Sequence, residues 1–296
     1  MLSKIRQSPV LASIAMLIVT AIWGWTFVVV QNAINRMPVM DFLAWRFLGA
    51  VVVMMLIQPN CWKGLTWPEV WRGIVLGLFL GAGYITQTYG LVYASASVAG
   101  FITGMFVVFT PLIAWIFLRR KINARTWIAV ALATAGLGLL GLHGWRLGTG
   151  ETLVLACALF YALHILGLGE WSSRYPIFRF ALIQIMVVAV ISLAAAVPNG
   201  IVMPPDSSVW LAVGITACLA TAGAFIVQTW AQTLVSPARI SIVMTMEPVF
   251  AGVFGVWLAD DPLTQRIVLG MLCVLGAMII VQLKPIKRKS GRFVTE

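Results

Sequence analysis

Charge is what this chain has least of. Only 10% of its 296 residues are Asp, Glu, Lys or Arg, against about 25% in soluble domains, while 61% are hydrophobic and the mean hydropathy is +0.99. So little polar surface cannot cover a fold in water, which excludes a soluble domain. Acid is scarcer than base, 9 residues against 20, yet the excess does not describe a nucleic-acid surface, because the basic residues gather in short clusters between apolar runs. No Walker A pattern is present, so ATP drive by this chain is not expected. With two His in all and no HExxH, a metal site lacks a ligand set. The four cysteines, Cys61, Cys157, Cys218 and Cys273, are widely spaced and read as packing residues rather than a disulfide framework or zinc site. No cofactor is implied.

What the chain does have is long uncharged runs. Gly73 to Leu118 is 46 residues without one charged side chain. A bilayer core of ~30 Å takes about 20 apolar residues per helix, so this stretch holds two spans joined by the small-residue turn near Ala94 to Ser97. The start resembles a signal peptide, Lys4 and Arg6 before an apolar segment, but the run stays uncharged as far as Asn35, too long for an h-region, and reads as the first span. Ten spans result, over about 10–31, 42–57, two within 73–118, 126–142, 152–169, 177–197, 209–234, 240–259 and 267–283. With the N-terminus cytoplasmic, sixteen Lys and Arg fall on inside segments and three (Arg36, Arg146, Arg266) outside, Arg46 remaining within a span. The positive-inside rule therefore puts both termini in the cytoplasm.

The chain also repeats itself. Tyr84, Gln87, Thr88, Tyr89 and Ser95 fall on Phe225, Gln228, Thr229, Trp230 and Ser236 at an offset of 141; at 138, Trp23 falls on Tyr161, Thr26 on His164, Phe42 on Phe180 and Arg46 on Gln184. Residues 1–147 and 148–296 each hold five spans, an odd number, so the second half enters the membrane upside down. The expected fold class is an all-α polytopic membrane protein of ten transmembrane helices in two inverted five-helix repeats. Such repeats place a substrate site near mid-membrane at their interface and give alternating access by rocking.

AIWGWTFV in span 1, LAWRF in span 2, GFITGMFVVFTPL in span 4 and MEPVFAGVFGVWLADDPL in span 9 resemble the drug/metabolite transporter superfamily, in its ten-helix EamA-type branch. Within it the chain is most similar to the aromatic and hydrophobic amino-acid exporters of the YddG type. The resemblance covers essentially the whole chain and implies a cavity surrounded by spans 1, 3, 4, 6, 8 and 9, with 5 and 10 outside. Asp260 and Asp261 stand where family members often carry Gly-Glu. Span 1 lacks the membrane-embedded Glu with which the small multidrug members exchange protons for cations.

Charge within the hydrocarbon is costly, about 2.5–3.5 kcal/mol on insertion scales, so Arg46 and Glu247 each require an explanation. Arg46 is read first as structural, snorkelling or binding loop carbonyls, since its span is not an expected cavity helix; a substrate carboxylate is the alternative. Glu247, before Pro248, either holds a substrate amino group, carries a coupling proton, or caps the break that the proline makes. His164, one turn from Tyr161, is either a satisfied imidazole or a cavity group. Gln87 and Gln228 recur at matched positions and suit a zwitterion; interhelical hydrogen bonding is their bland role. Trp23, Tyr84, Tyr89, Phe101, Met105, Tyr161, Phe225, Trp230 and Met244 lie on the expected cavity helices and are the candidates for the apolar wall. The Trp residues at span ends, among them Trp62, Trp67, Trp71, Trp127, Trp145, Trp171 and Trp210, read as interfacial belts. Gly77 with Gly81 and Gly100 with Gly104 read as close-packing surfaces.

These features favour a secondary carrier in the cell (inner) membrane that exports small neutral metabolites, aromatic or hydrophobic amino acids foremost, with a multidrug or other metabolite carrier as the alternative. The partners expected are the solute and the lipid bilayer, with no nucleic acid, and a monomer or dimer. One span carboxylate and one span His give no arrangement for an enzyme, and a membrane-embedded binding or assembly protein is the remaining class.

Overall fold

The computed structural model describes residues 8–119, 124–143, 146–171, 174–234 and 243–282. The first half comprises α1 (Pro9–Ile34), α2 (Val39–Ile57), α3 (Trp67–Gly90), α4 (Ala96–Thr103), α5 (Phe106–Leu118) and α6 (Ala124–Gly141). The second comprises α7 (Thr149–Trp171), α8 (Ile177–Ala196), α9 (Ser207–Ala217), a π-helical turn (Cys218–Gly223), α10 (Ala224–Leu234), α11 (Met246–Leu258) and α12 (Gln265–Gln282). A ladder of two residues a side, Leu142–His143 with Arg146–Leu147, closes the turn between the halves. Six helical stretches are long and apolar enough to cross a membrane, and three shorter apolar ones lie at 124–140, 246–258 and 265–280. With α3, 24 residues long but carrying Tyr84, Thr86, Gln87, Thr88 and Tyr89 in its second half, these account for the ten passes. The first three residues of the ninth pass (240–242), Ser236, Trp145, and the basic clusters at Lys4–Arg6, Arg120–Lys121, Arg239 and 284–292 lie outside the described residues.

Local chemistry sets the ends. Ser8 caps α1 by accepting from the Leu11 N–H, and Pro9 follows in the first turn, where a missing N–H costs nothing. Asp206 caps α9 by accepting from the Ser208 and Val209 N–H groups. Two expected continuous spans are interrupted. Between α4 and α5 the bonds tighten to i→i−3 at Met105, Val107 and Val108, and one turn further in Pro111 removes another donor. The matched position 141 residues on is Thr245, a turn residue three before Pro248. The eighth pass widens into the π turn, in which Thr221 Oγ1 donates to the Thr216 carbonyl five residues back, 2.8 Å away.

Packing follows the duplication. α3 packs on α7 as α10 packs on α1; α11 packs on α1 as α5 packs on α7; α2 pairs with α8, α4 with α11 and α6 with α12. Exchanging the halves maps each pairing onto another or onto itself. Small residues make these approaches: a methyl on Gly77 would stand 2.6 Å from Val187 Cβ, and one on Gly100 would run into Ala251. Phe42, Phe47, Phe180, Met54 and Ile102 are fully buried in the core. Outward faces carry bare apolar side chains such as Leu56, Phe117 and Trp257, which lipid rather than water would cover.

The α2–α8 pair is clamped at both ends by residues 138 apart. Asp41 Oδ1 accepts from the Val202 N–H at 2.7 Å, holding the loop after α8. Its counterpart Arg179 holds the loop before α3, donating to the Lys63 carbonyl at 2.6 Å and to both carboxylate oxygens of Glu69 at 2.8 and 2.6 Å. Asp261, just beyond α11, accepts from the Ser97 N–H (2.7 Å) and hydroxyl (2.6 Å), so a carboxylate that follows the ninth pass holds the first turn of α4.

Candidate functional site

The helices of the two halves enclose a cavity with about 950 Å³ of space free of protein atoms, open solvent included. Its wall comes from α1, α3, α7, α10, the α4–α5 junction and the start of the ninth pass, as the resemblance implied, and from Arg46 on α2, which it did not. Trp23, Tyr84, Gln87, Tyr161, His164, Phe225, Gln228, Met244 and Glu247 line it. Phe101 and Met105 do not, and neither do Tyr89 and Trp230. Phe101 points toward Gly252 and is 5% exposed, and Met105 lies in the core at the helix break, 3% exposed. Thr103, two residues after Phe101 and so on the other side of α4, and Phe106, the first residue of α5, stand on the wall instead. Spans 5 and 10 contribute no lining residue.

The polar groups differ in how far they are satisfied. Trp23 Nε1 donates to the Ala220 carbonyl at 2.8 Å, an acceptor presented by the π turn, so this indole is both wall and tie. His164 Nε2 lies 2.7 Å from Gln184 Oε1, and the Gln184 amide donates to the Phe180 carbonyl at 2.8 Å. That second bond turns the amide oxygen toward the imidazole, so Nε2 carries the proton and Nδ1 is the acceptor of the neutral ring. His164 is thus a satisfied imidazole on the cavity wall, 7% exposed. Gln87 donates to Thr103 Oγ1 at 3.2 Å and accepts a long 3.5 Å bond from the Tyr161 hydroxyl. Gln228 and Glu247 have no hydrogen-bond partner among the described residues.

Tyr84 stands edge-on to both Tyr161 (5.7 Å between centroids) and Phe47 (4.8 Å). The Arg46 guanidinium carbon lies 4.8 Å from the Tyr84 ring centroid and 5.3 Å from that of Phe47, and Nε donates to Thr221 Oγ1 at 3.3 Å. This corrects the structural reading of Arg46: it neither snorkels outward nor binds a loop carbonyl, but turns inward between α3 and the π turn. The signal was a lone charge in a span; what obscured it was that α2 is otherwise a packing helix. Among the described residues no three His, Cys, Asp or Glu side chains come together. The Gln31 amide donates to the Leu91 (3.1 Å) and Ala94 (3.0 Å) carbonyls, tying α1 to the turn between α3 and α4.

A ten-pass bundle with a polar-spotted cavity between exchange-related halves agrees with what known proteins show. The model of the EamA-like transporter family matches twice, over residues 10–142 and 148–283. The chain belongs to the EamA-like transporter family. This EamA-like transporter is 31% identical over 274 residues to an uncharacterized transporter of Archaeoglobus fulgidus, spanning 92% of this chain and 86% of the relative. It is 25% identical to the transporter YoaV of Bacillus subtilis, over 86% and 91% of the two chains, and 24% identical to the inner membrane transporter YedA of Escherichia coli, over 88% and 87%. A solved structure titled only as a crystal structure of a protein superposes with a TM-score of 0.66 at 16% identity, over 91% of this chain and 96% of the other, and so shares the fold. The EamA-like chain is a multi-pass membrane transporter of small metabolites, and not an enzyme.

Proposed function

We propose that this transporter carries aromatic or hydrophobic amino acids, or metabolites of similar shape, outward across the cell membrane by alternating access. The observation that carries the reading is the cavity wall itself. Trp23, Tyr84, Tyr161 and Phe225 present an aromatic surface, and between them stand the matched amides Gln87 and Gln228, able to donate to a carboxylate or accept from an ammonium. The halves 1–147 and 148–296 act as the two rocking bodies about this site, with both termini cytoplasmic; the clustering of base on one set of segments supports that orientation. Movement is facilitated, driven by the solute gradient, because span carboxylates are so few.

Counterflow into proteoliposomes with the twenty amino acids and a set of drugs tests the proposal. Exchange of labelled aromatic or branched amino acids is expected, and absence of flux across the whole panel would remove the carrier of amino acids from consideration. A dependence of that flux on an imposed pH gradient would replace facilitated movement by proton exchange through Glu247 or His164.

A further inference from the structure

One side chain of the cavity wall, read as structural from its place in span 2, has chemistry that the proposed function leaves unused. Arg46 is 4% exposed, faces the cavity and has a single hydrogen bond, through Nε; among the described residues its two terminal nitrogens have no acceptor and it has no ion-pair partner. A guanidinium stays charged wherever it is buried, so the fold presents to the cavity a cation with four N–H donors on its terminal nitrogens. Glu247, the carboxylate of the same cavity, forms no ion pair with it.

The fold also holds this cation in place. Thr221 Oγ1 receives the Nε–H only because the π turn lets that hydroxyl donate to the Thr216 carbonyl and keep its lone pairs toward Arg46. The rings of Tyr84 and Phe47 fix the guanidinium by its π contacts. The matched position in the other half, Gln184, is neutral and fully engaged by His164 and the Phe180 carbonyl. One half is sealed with a neutral pair where the other offers an open fork, so the cavity is electrostatically one-sided.

We infer that Arg46 is the carboxylate-binding residue of the transported solute, taking it bidentately through its terminal nitrogens, and that Thr221 is the positioning residue that aims the fork. The inference rests on the carrier reading above and narrows it: the solute is an organic carboxylate, with or without an amino group, and simple amines and amides are rejected. Glu247 lines the same cavity and is available to an ammonium without requiring one.

Binding to the purified full-length protein in detergent, measured by titration calorimetry, separates this from the transport question. The probes are paired acids and amides: L-phenylalanine with L-phenylalaninamide, L-leucine with L-leucinamide, and 3-phenylpropionate with 3-phenylpropanamide. Acids are expected to bind at least about tenfold more tightly than their amides, since a charge-assisted bidentate bond is lost in the amide. Arg46→Gln should erase the difference by weakening the acids alone. Thr221→Val, which keeps the cation, should shrink it while leaving amide affinity unchanged. Equal binding of acids and amides to the wild type, absence of acid binding, or retention of the preference in Arg46→Gln would overturn the assignment. So would inorganic phosphate competing as well as the acids, which would make the site one for free anions. Should Arg46→Gln not fold, the wild-type pairs and Thr221→Val decide. Acid-selective binding without liposome flux would refute transport and leave Arg46 as a carboxylate site.

Discussion

Replacing Glu69 by Gln should release the loop from residue 58 to 66, and the structure gives the size of the effect. Glu69 and Arg179 form a bidentate pair with side chains only 1% and 10% exposed. Removing one charge of a buried pair costs about 3–5 kcal/mol, because the remaining charge is left desolvated. Here Arg179 keeps the Lys63 carbonyl at 2.6 Å and a 3.5 Å contact to that of Cys61, and Gln keeps one neutral acceptor, so the low end, about 3 kcal/mol, is expected. Cys61 is 5% exposed beneath this clamp and reports its opening. In a background with Cys157, Cys218 and Cys273 replaced by Ala, the rate at which a maleimide labels Cys61 follows the open population. A loss of about 3 kcal/mol then accelerates labelling by about two orders of magnitude. Replacing both partners, Glu69→Leu with Arg179→Met, should return most of the protection, since an apolar pair leaves no orphaned charge. Labelling of Glu69→Gln within threefold of the parent would refute the reasoning, showing the pair to be as weak as a surface one.

Three further outcomes follow from the same geometry. Gln228→Ala should lower transport with stability unchanged within about 0.5 kcal/mol, as Gln228 bonds to no described residue, whereas Gln87→Ala should lower transport and also cost about 1 kcal/mol for its bond to Thr103; flux beside thermal unfolding in detergent reads both. Gly24→Ala should destabilise by about 1–3 kcal/mol, seen as a lower unfolding temperature, because the added methyl would stand 2.6 Å from Phe250 Cβ and 2.7 Å from the Ala251 nitrogen. Asp206 has its carboxyl held below the ordinary value, first by the Ser208 hydroxyl, then by the Val209 N–H and other groups including Arg36. The fold therefore favours its charged form, and the stabilisation is present above about pH 3.9 and lost as pH falls through the lower folded value. The unfolding temperature of the wild type should approach that of Asp206→Ala on acidification through this range, and a constant difference would contradict it.

Much of the cavity was legible because the duplication could be read residue against residue. Matched polar positions within uncharged runs, such as Gln87 with Gln228 and Trp23 with Tyr161, have little reason to recur unless they share an environment, and both pairs line the wall. Phe101 and Met105 were misplaced because α4 and α5 are apolar on every side, so periodicity cannot say which face meets the cavity, and a break after Thr103 shifts the phase of everything beyond it. The partner of His164 was invisible for another reason: Gln184 lies on a neighbouring helix, twenty residues away.

The sequence by itself determined that the chain lives in a bilayer, crosses it ten times and does so in two related halves, since these follow from composition, run length and offset, which need no coordinates. Only the tertiary structure decided which polar groups are spent and which are free. Arg46 and Arg179 are both arginines on matched helices, yet one is saturated by Glu69 and loop carbonyls while the other faces the cavity. Whether a charge in a membrane is structural or functional depends on the acceptors that other helices and loops bring to it: Glu69 and two loop carbonyls for Arg179, and Thr221 alone for Arg46 among the described residues.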